Sequence, residues 1–417
     1  MASLRSLFGD DAAVLRDQDY QLLLLVTVPT LLGTTMLSPV LDSLIEPFGT
    51  SAADIGLLIS AFTAPAIVII PVAGAIADRI GRKPVLVWSL LLFGAAGTAV
   101  ALTTDFRIAL GFRLLQGIGF AGLNPTVVTC IRDLFTGSAE ATGQGLRVAV
   151  AGLGQTVFSF IAGVIVAIAW QLPFLLYAMS FPIAVALWLR FEEPAGQSGS
   201  ERGSDYVRAL LGQLGRPTVA AMVTARGLVL VTWFGFVTFN SIVVVRVLGG
   251  SPSQAGAMVA VASTVFAITA SQAGRVTARF GSRLVPLLAG NIAMGLGLAI
   301  FGLAPAPLHA AGGVAIAGAG FGLDLGLYRS VVSGLAPADL RAGVVSVAEA
   351  GGRVVATLTP LAMGVGLTAL EPAVGFDAAV RTVLVGAGVV AWGGTTVCVG
   401  LAAFAGSDGI EASASGR

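Results

Sequence analysis

The stretch GAIADRIGRKP, residues 74–84, sets four charges, Asp78, Arg79, Arg82 and Lys83, between two long apolar runs. The chain around it is poor in charge. Of 417 residues, 56% are apolar and only 11% charged, against roughly 25% charged in ordinary soluble domains. Apolar stretches of about 20 residues, long enough to cross a bilayer as a helix, follow one another along the chain. The 55 glycines are about twice the usual share of roughly 7%. Glycine weakens a helix in water, but between membrane helices small residues let backbones approach. The composition implies a polytopic membrane protein, and the charged turn is a loop between two of its spans.

Counting apolar runs predicts twelve spans, at about 20–44, 55–77, 84–103, 107–131, 141–168 and 171–190, then 217–245, 255–276, 284–303, 307–331, 342–369 and 379–404. Residues 191–216 are the longest polar interruption. Their Gly/Ser-rich start reads as a flexible linker and 205–214 as a short surface helix. The domain reading is a terminal segment (1–19), a six-helix bundle (20–190), a linker (191–216), a second bundle (217–404) and a tail (405–417). The first apolar run is full length, which predicts a span that also targets the chain rather than a cleaved leader.

Twelve spans put both termini on one side. Sixteen of the 23 Lys/Arg then fall on the terminal side, three on the other and four within spans. By the positive-inside rule the termini are cytoplasmic and the expected location is the cell membrane. Net charge is +1, so overall charge points to no partner and nothing suggests nucleic acid. Cys130 and Cys398 lie in separate runs, far from any disulfide or metal-binding spacing, and no cofactor or metal is expected.

The opening stretch has a second copy. Shifted by 200 residues, GRVTARFGSRLV (274–285) lies under GAIADRIGRKPV (74–85), pairing Gly74 with Gly274, Arg79 with Arg279 and Gly81 with Gly281. GIGF (117–120) pairs with GAGF (318–321) one residue further on. Two halves with the same signatures imply a duplicated bundle, a layout common in transporters, with the substrate site between the repeats near mid-membrane.

GAIADRIGRKP between the second and third spans resembles the signature loop of the major facilitator superfamily, and RLLQGIGFAG (113–122) resembles that superfamily's fourth-helix motif. The resemblance covers essentially the whole chain. It implies an all-α membrane protein with twelve transmembrane helices in two pseudo-symmetric six-helix bundles, acting as a monomer. The first three spans and their loop are most similar to the drug/proton antiporter branch. Proton-coupled efflux of a small molecule by alternating access is therefore expected. The runner-up is an importer or exchanger of organic anions, and a different class is a transport-inactive membrane sensor.

Gly74 and Gly81 permit close approach and a tight turn. Asp78 can reach the positive N-terminal end of a neighbouring helix. Arg79, Arg82 and Lys83 either stay at the interface, facing anionic lipid heads or partner acids, or only fix topology. The resemblance implies that the acid and arginine of this loop help latch the halves together on the cytoplasmic side when the protein faces outward, with Arg132 and Asp133 as partners. The second copy has Ala278 in place of the acid, which leaves one latch intact.

Ionisable residues within spans are costly and usually functional. Arg113, Arg147, Arg226, Arg353, Asp324 and Glu349 are the embedded set, with Asp42 near the outer end of the first span. Arg113 matches the family's motif arginine, which implies a role in coupling or substrate handling. Glu349 and Arg353 stand four apart with Glu leading, the favourable order for a helical pair. A central cavity is the natural place for Glu349, Arg353 and Asp324, and the two acids are the candidate proton carriers. Four arginines against two acids favour an anionic or zwitterionic substrate. Asn124, Asn240 and Asn291 either line the cavity or bond helix to helix. Pro39, Pro125 and Pro360 are expected to bend their helices.

GIGFAG matches G-x-G-x-x-G but lies within a span, with no preceding strand, so it is read as helix packing. No Walker A loop, H-E-x-x-H or G-x-S-x-G is present, and the single His309 sits near an outer end. An enzyme is not expected.

Overall fold

The computed structural model describes residues 14–193, 204–280, 282–337 and 339–405. Residues 1–13, linker residues 194–203, Gly281 of the second loop and the tail after 405 lie outside them. Among the described residues there are helices and no strands.

The first expected span is not one helix. α1 (Gln18–Leu31) starts on Asp17, whose carboxylate accepts from the Tyr20 backbone N–H at 2.8 Å. The chain then runs through turns over 32–40, past Pro39, to the short α2 (Leu41–Ile45). The second span is α3 (Leu57–Thr63) followed by α4 (Pro65–Ile80), with a 53° bend between Leu57–Ile70 and Val72–Ile80. α5 (Arg82–Leu102), α6 (Phe106–Leu134), α7 (Gly137–Ile165) and α8 (Leu172–Arg190) complete the first half. α9 (Ser204–Leu214) is the helix expected in the polar interruption. The second half holds α10 (Pro217–Val247), α11 (Pro252–Phe280), α12 (Leu284–Leu303), α13 (Pro307–Gly334), α14 (Arg341–Val374) and α15 (Phe376–Ala405). Ten of these helices are long and apolar enough to cross a membrane, and the bent pair makes eleven. The remaining expected span is the broken first one. Pro125 and Pro360 lie inside α6 and α14, which continue through them.

Large apolar side chains point outward in number. Val68, Leu153, Leu189 and Val365 are each about two-thirds exposed or more (66%, 69%, 72% and 65%). In water such a surface would aggregate, but against lipid it matches the solvent.

The sequence repeat reappears as a repeat of contacts. A Cβ on Gly117 would strike the Phe62 carbonyl oxygen, and one on Gly318 the Ala262 carbonyl oxygen, the equivalent atom one repeat later. Gly119 lies against Ser89 and Phe93, and Gly320 against Gly290 and Met294, again at matching positions. Each half therefore folds on the same close helix crossings.

The halves meet with the same two-fold relation. Gly163 of α7 lies on the backbone of Pro252 and Ser253, and Gly364 of α14 lies on that of Ala53. Gly256 sits on Ser159 and Phe160, while Gly56 sits on Thr238 and Pro360. These contacts are near the helix ends farthest from the two termini, here called the far face. A set of polar contacts joins the halves there. The Asp42 carboxylate pairs with Arg246 at 2.5 Å, and its backbone N–H donates to Ser241 Oγ at 3.0 Å. Ser60 Oγ donates to the Thr357 carbonyl at 2.7 Å, and the Thr63 and Thr357 hydroxyls are 3.0 Å apart. Asn240 Nδ2 donates to Ser38 Oγ at 3.3 Å. α10 ends in a π-helical turn, Ile242–Val247, which carries Arg246 to this contact.

Candidate functional site

The charged loop is pinned inside the first half. Gly81 has φ +96°, a conformation that favours glycine, and the Glu193 carboxylate occupies the space where a Cβ would stand. The Arg82 backbone N–H donates to Glu193 Oε1. The Arg82 guanidinium pairs with Asp133 at the end of α6 at 2.9 Å, both side chains being 7% exposed. Lys83 Nζ donates to the Phe191 carbonyl at 2.8 Å and lies 5.8 Å from the centre of the Trp188 ring. Loop, α6 and the end of α8 thus form one knot.

Of the two partners expected for this loop, Asp133 is in place and Arg132 is not. Asp133 partners Arg82 of its own half, and Arg132 is exposed without a partner among the described residues. Asp78 and Arg79 are likewise exposed on the last turn of α4, with no bond among the described residues. Gly74 has open space where a Cβ would be, so no close approach explains it.

Arg113 is fully buried, and all three of its nitrogens are hydrogen-bonded. It donates to the Gly33 carbonyl at 2.5 Å, the Leu58 carbonyl at 3.1 Å, Gln116 Oε1 at 2.5 Å and Tyr177 Oη at 3.3 Å. Its guanidinium lies over the Phe62 ring, 4.4 Å from the centre. The reason is the broken first span. Residues 32–40 leave carbonyls that a continuous helix would have satisfied, and such groups cannot stay unpaired within a membrane. Arg113 takes Gly33, Tyr177 donates to Leu32 at 2.8 Å and Ser159 donates to Thr35 at 3.1 Å. Arg113 therefore faces away from the cavity between the halves.

That cavity, of about 260 Å³, is lined by Gln155 of α7 and by Arg226, Trp233, Phe266, Phe321, Glu349 and Arg353 of the second half, among others. Glu349 does not pair with Arg353 four residues on. It pairs with Arg226 of α10, Oε1 to Nη2 at 2.6 Å, and Arg226 Nη1 also donates to the Ala348 carbonyl at 3.0 Å. The helical spacing allowed the i,i+4 pair, but α10 crosses α14 at this level and brings a second arginine closer. Arg353 lies over the Phe120 ring of the first half, 5.6 Å from its centre, and has no ion pair among the described residues.

Asp324 is not in the cavity. It is fully buried between α12 and α13, and neither carboxylate oxygen has a hydrogen-bond partner among the described residues. Its oxygens lie against the backbone of Gly290, where a side chain on residue 290 would collide with them. Asn291 and Tyr328, one turn away, bond each other at 2.9 Å.

The three asparagines bond helix to helix, and none of them lines that cavity. Asn124 Oδ1 accepts from Arg147 Nη1 at 3.0 Å, joining α6 to α7, and Gln144 Oε1 accepts from Arg147 Nε at 3.3 Å. Asn240 ties α10 to the Ala255 carbonyl at 2.9 Å and to Ser38, and Asn291 ties α12 to α13. Reading the sequence missed the aromatic wall. Trp233 and Phe321 stack at 4.8 Å with planes 6° apart, and Phe266 leans on Phe321 at 5.3 Å. A signal was present: Phe120 under Arg353 and Phe321 under Trp233 are the phenylalanines that close GIGF and GAGF.

A profile of the Major Facilitator Superfamily matches residues 23–360. The chain is 36% identical over 150 residues to a bacillibactin exporter of Bacillus subtilis, covering 34% of this chain and 37% of that one. It is 27% identical over 143 residues to the quinolone resistance protein NorA of Staphylococcus aureus, again covering 34% and 37%. These matches thus span little more than a third of either relative. In structure it is similar to a bacterial homologue of the lysosomal transporter Spinster, with TM-score 0.74 at 20% identity, covering 94% and 97% of the two chains. The nucleoside transporter NupG gives TM-score 0.77 at 12% identity, covering 90% and 99%. The fold, the repeat of contacts and the profile match agree, and the chain belongs to the Major Facilitator Superfamily.

Proposed function

We propose that this chain is a secondary active transporter that moves a small molecule out of the cell by alternating access, coupled to protons. The observation that carries the reading is the pairing of halves. They are zipped at the far face and enclose, at mid-depth, a cavity with three embedded charged side chains on its wall. Similarity to an exporter and to a resistance protein supports export over the importer or exchanger reading. With the termini cytoplasmic, as the basic residues favour, the far face is extracellular and this conformer is closed to the outside. The two bundles, 20–190 and 217–404, are the moving units, in the cell membrane, with one chain as the working unit.

Asp324 is the proton site in this proposal. It can exchange a proton without breaking an ion pair, whereas Glu349 is held by Arg226. Reconstituted protein should accumulate a fluorescent substrate when a pH gradient is imposed. Asp324→Asn keeps the shape of the side chain and should remain folded, while gradient-driven accumulation falls to background. A response to the gradient equal to wild type removes Asp324 from coupling. Folded protein that moves no compound under any gradient favours the sensor class.

Asp78, without a partner among the described residues of this conformer, fits a latch that engages when the cytoplasmic side closes. Asp78→Asn should fold normally, slow transport several-fold and favour the cytoplasm-open state. Distances between spin labels on α4 and α14 would measure that shift, and unchanged populations with normal flux would reject the latch.

A further inference from the structure

We propose that the cavity is built for a planar aromatic monoanion, with Arg353 binding the anionic group and the Trp233–Phe321–Phe266 wall receiving the ring. The inference deepens the transporter reading and rests on it for the cavity's role. Three observations lead to it. The first is charge. Arg226 and Glu349 neutralise each other at 2.6 Å, so Arg353 is the uncompensated charge on the wall and the cavity carries one net positive charge. A fixed cation at this depth is costly, and a ligand that supplies the missing negative charge recovers that cost.

The second is the donor geometry. Arg353 is half-buried with its guanidinium 5.6 Å from the centre of the Phe120 ring, and it has no hydrogen-bond acceptor among the described residues. A planar fork of N–H donors suits a carboxylate, which it can hold by two parallel hydrogen bonds. The third is the wall. Trp233 and Phe321 already stack on each other, so a ligand ring packs on the half-buried Trp233 and Phe266 faces and not between the stacked pair. Offset or edge-on ring contacts there add to simple burial. At about 260 Å³ the cavity is just below the usual range of roughly 300–1,000 Å³ for ligand pockets, which favours a compact acid over an extended drug.

The pairing of Glu349 decides the sign. Had it bridged Arg353, the free charge would be Arg226, which is 6% exposed and already bonded to the Ala348 carbonyl. Because Glu349 goes to the more buried arginine, the more accessible one remains open.

The test uses full-length protein in nanodiscs and three probes with one ring system: naphthoate, neutral naphthyl-methanol and a naphthylmethyl-ammonium cation. Calorimetric titration should rank naphthoate tightest and the cation weakest. Arg353→Gln should weaken naphthoate by about tenfold to a hundredfold, the range for a hydrogen bond to a charged group, and leave the neutral probe unchanged. Unchanged binding of the neutral probe also shows that the variant's site is folded. Arg353→Lys should retain part of the preference. The proposal is overturned if the cation binds as well as naphthoate, if Arg353→Gln keeps the preference, or if folded wild-type protein does not bind naphthoate. Proteoliposome flux separates the two readings. Naphthoate that binds but is not moved by a pH gradient counts against transport and leaves the site standing. Flux of a cationic dye through protein that ignores naphthoate does the reverse.

Discussion

Arg113→Ala yields a protein that fails to fold stably, and its loss of transport follows from that failure. The side chain is the donor for the Gly33 and Leu58 carbonyls and for Gln116, all in the dry interior of the first half. Removing it leaves the Gly33 carbonyl and Gln116 Oε1 without this donor, at about 1–3 kcal/mol for each buried group left unpaired. It also removes the cation over Phe62 and opens a cavity the size of an arginine side chain. Lysine should not rescue the loss, because one ammonium cannot reach acceptors on α3, α6, α8 and the turn after α1 together. Size-exclusion profiles and melting curves in detergent measure the effect. A variant that melts with wild type yet does not transport would return Arg113 to the coupling role that its motif implies.

Arg226→Ala should abolish the preference for an anion without touching Arg353. Glu349 is about half exposed to the cavity (46%) and loses its partner in this variant. The nearest remaining cation is Arg353, one turn along the same helix, and the i,i+4 pair expected from the sequence then forms. Naphthoate affinity should fall by about tenfold or more, as in Arg353→Gln. Adding Glu349→Gln to Arg226→Ala removes the competing carboxylate and should restore most of the affinity. A merely structural role for Arg226 predicts the opposite, since a second substitution in a damaged wall does not repair it. Titration of the single and double variants decides between the two.

Much of the architecture was legible because it rests on patterns that repeat. Apolar runs and the glycines of GIGF and GAGF fix which segments cross the bilayer and which crossings are close, since a membrane tolerates few alternatives to an apolar helix. The turn at Gly81 was legible for the same reason, as glycine is favoured at its φ. Arg82 and Lys83 were read as interface or latch residues. Asp133 was among the expected partners and pairs with Arg82, while Glu193 and Phe191, at the end of another helix, were not read from the sequence. The break in the first span left only Pro29 and Pro39 as hints, and the fate of Arg113 followed from that break.

Sequence alone established a duplicated, all-helical membrane protein with a charged loop after its second span and a scarce set of embedded charges. Local periodicity and transfer energetics are enough for that. Tertiary structure alone decided which charge meets which. Glu349 could pair along its own helix or across to another, and the crossing of α10 with α14 selected Arg226. Asp324 could face the cavity or a neighbouring helix, and the missing side chain at Gly290 made room for it between α12 and α13. Partner choice depends on distances between segments far apart in the chain, and no local pattern encodes those distances.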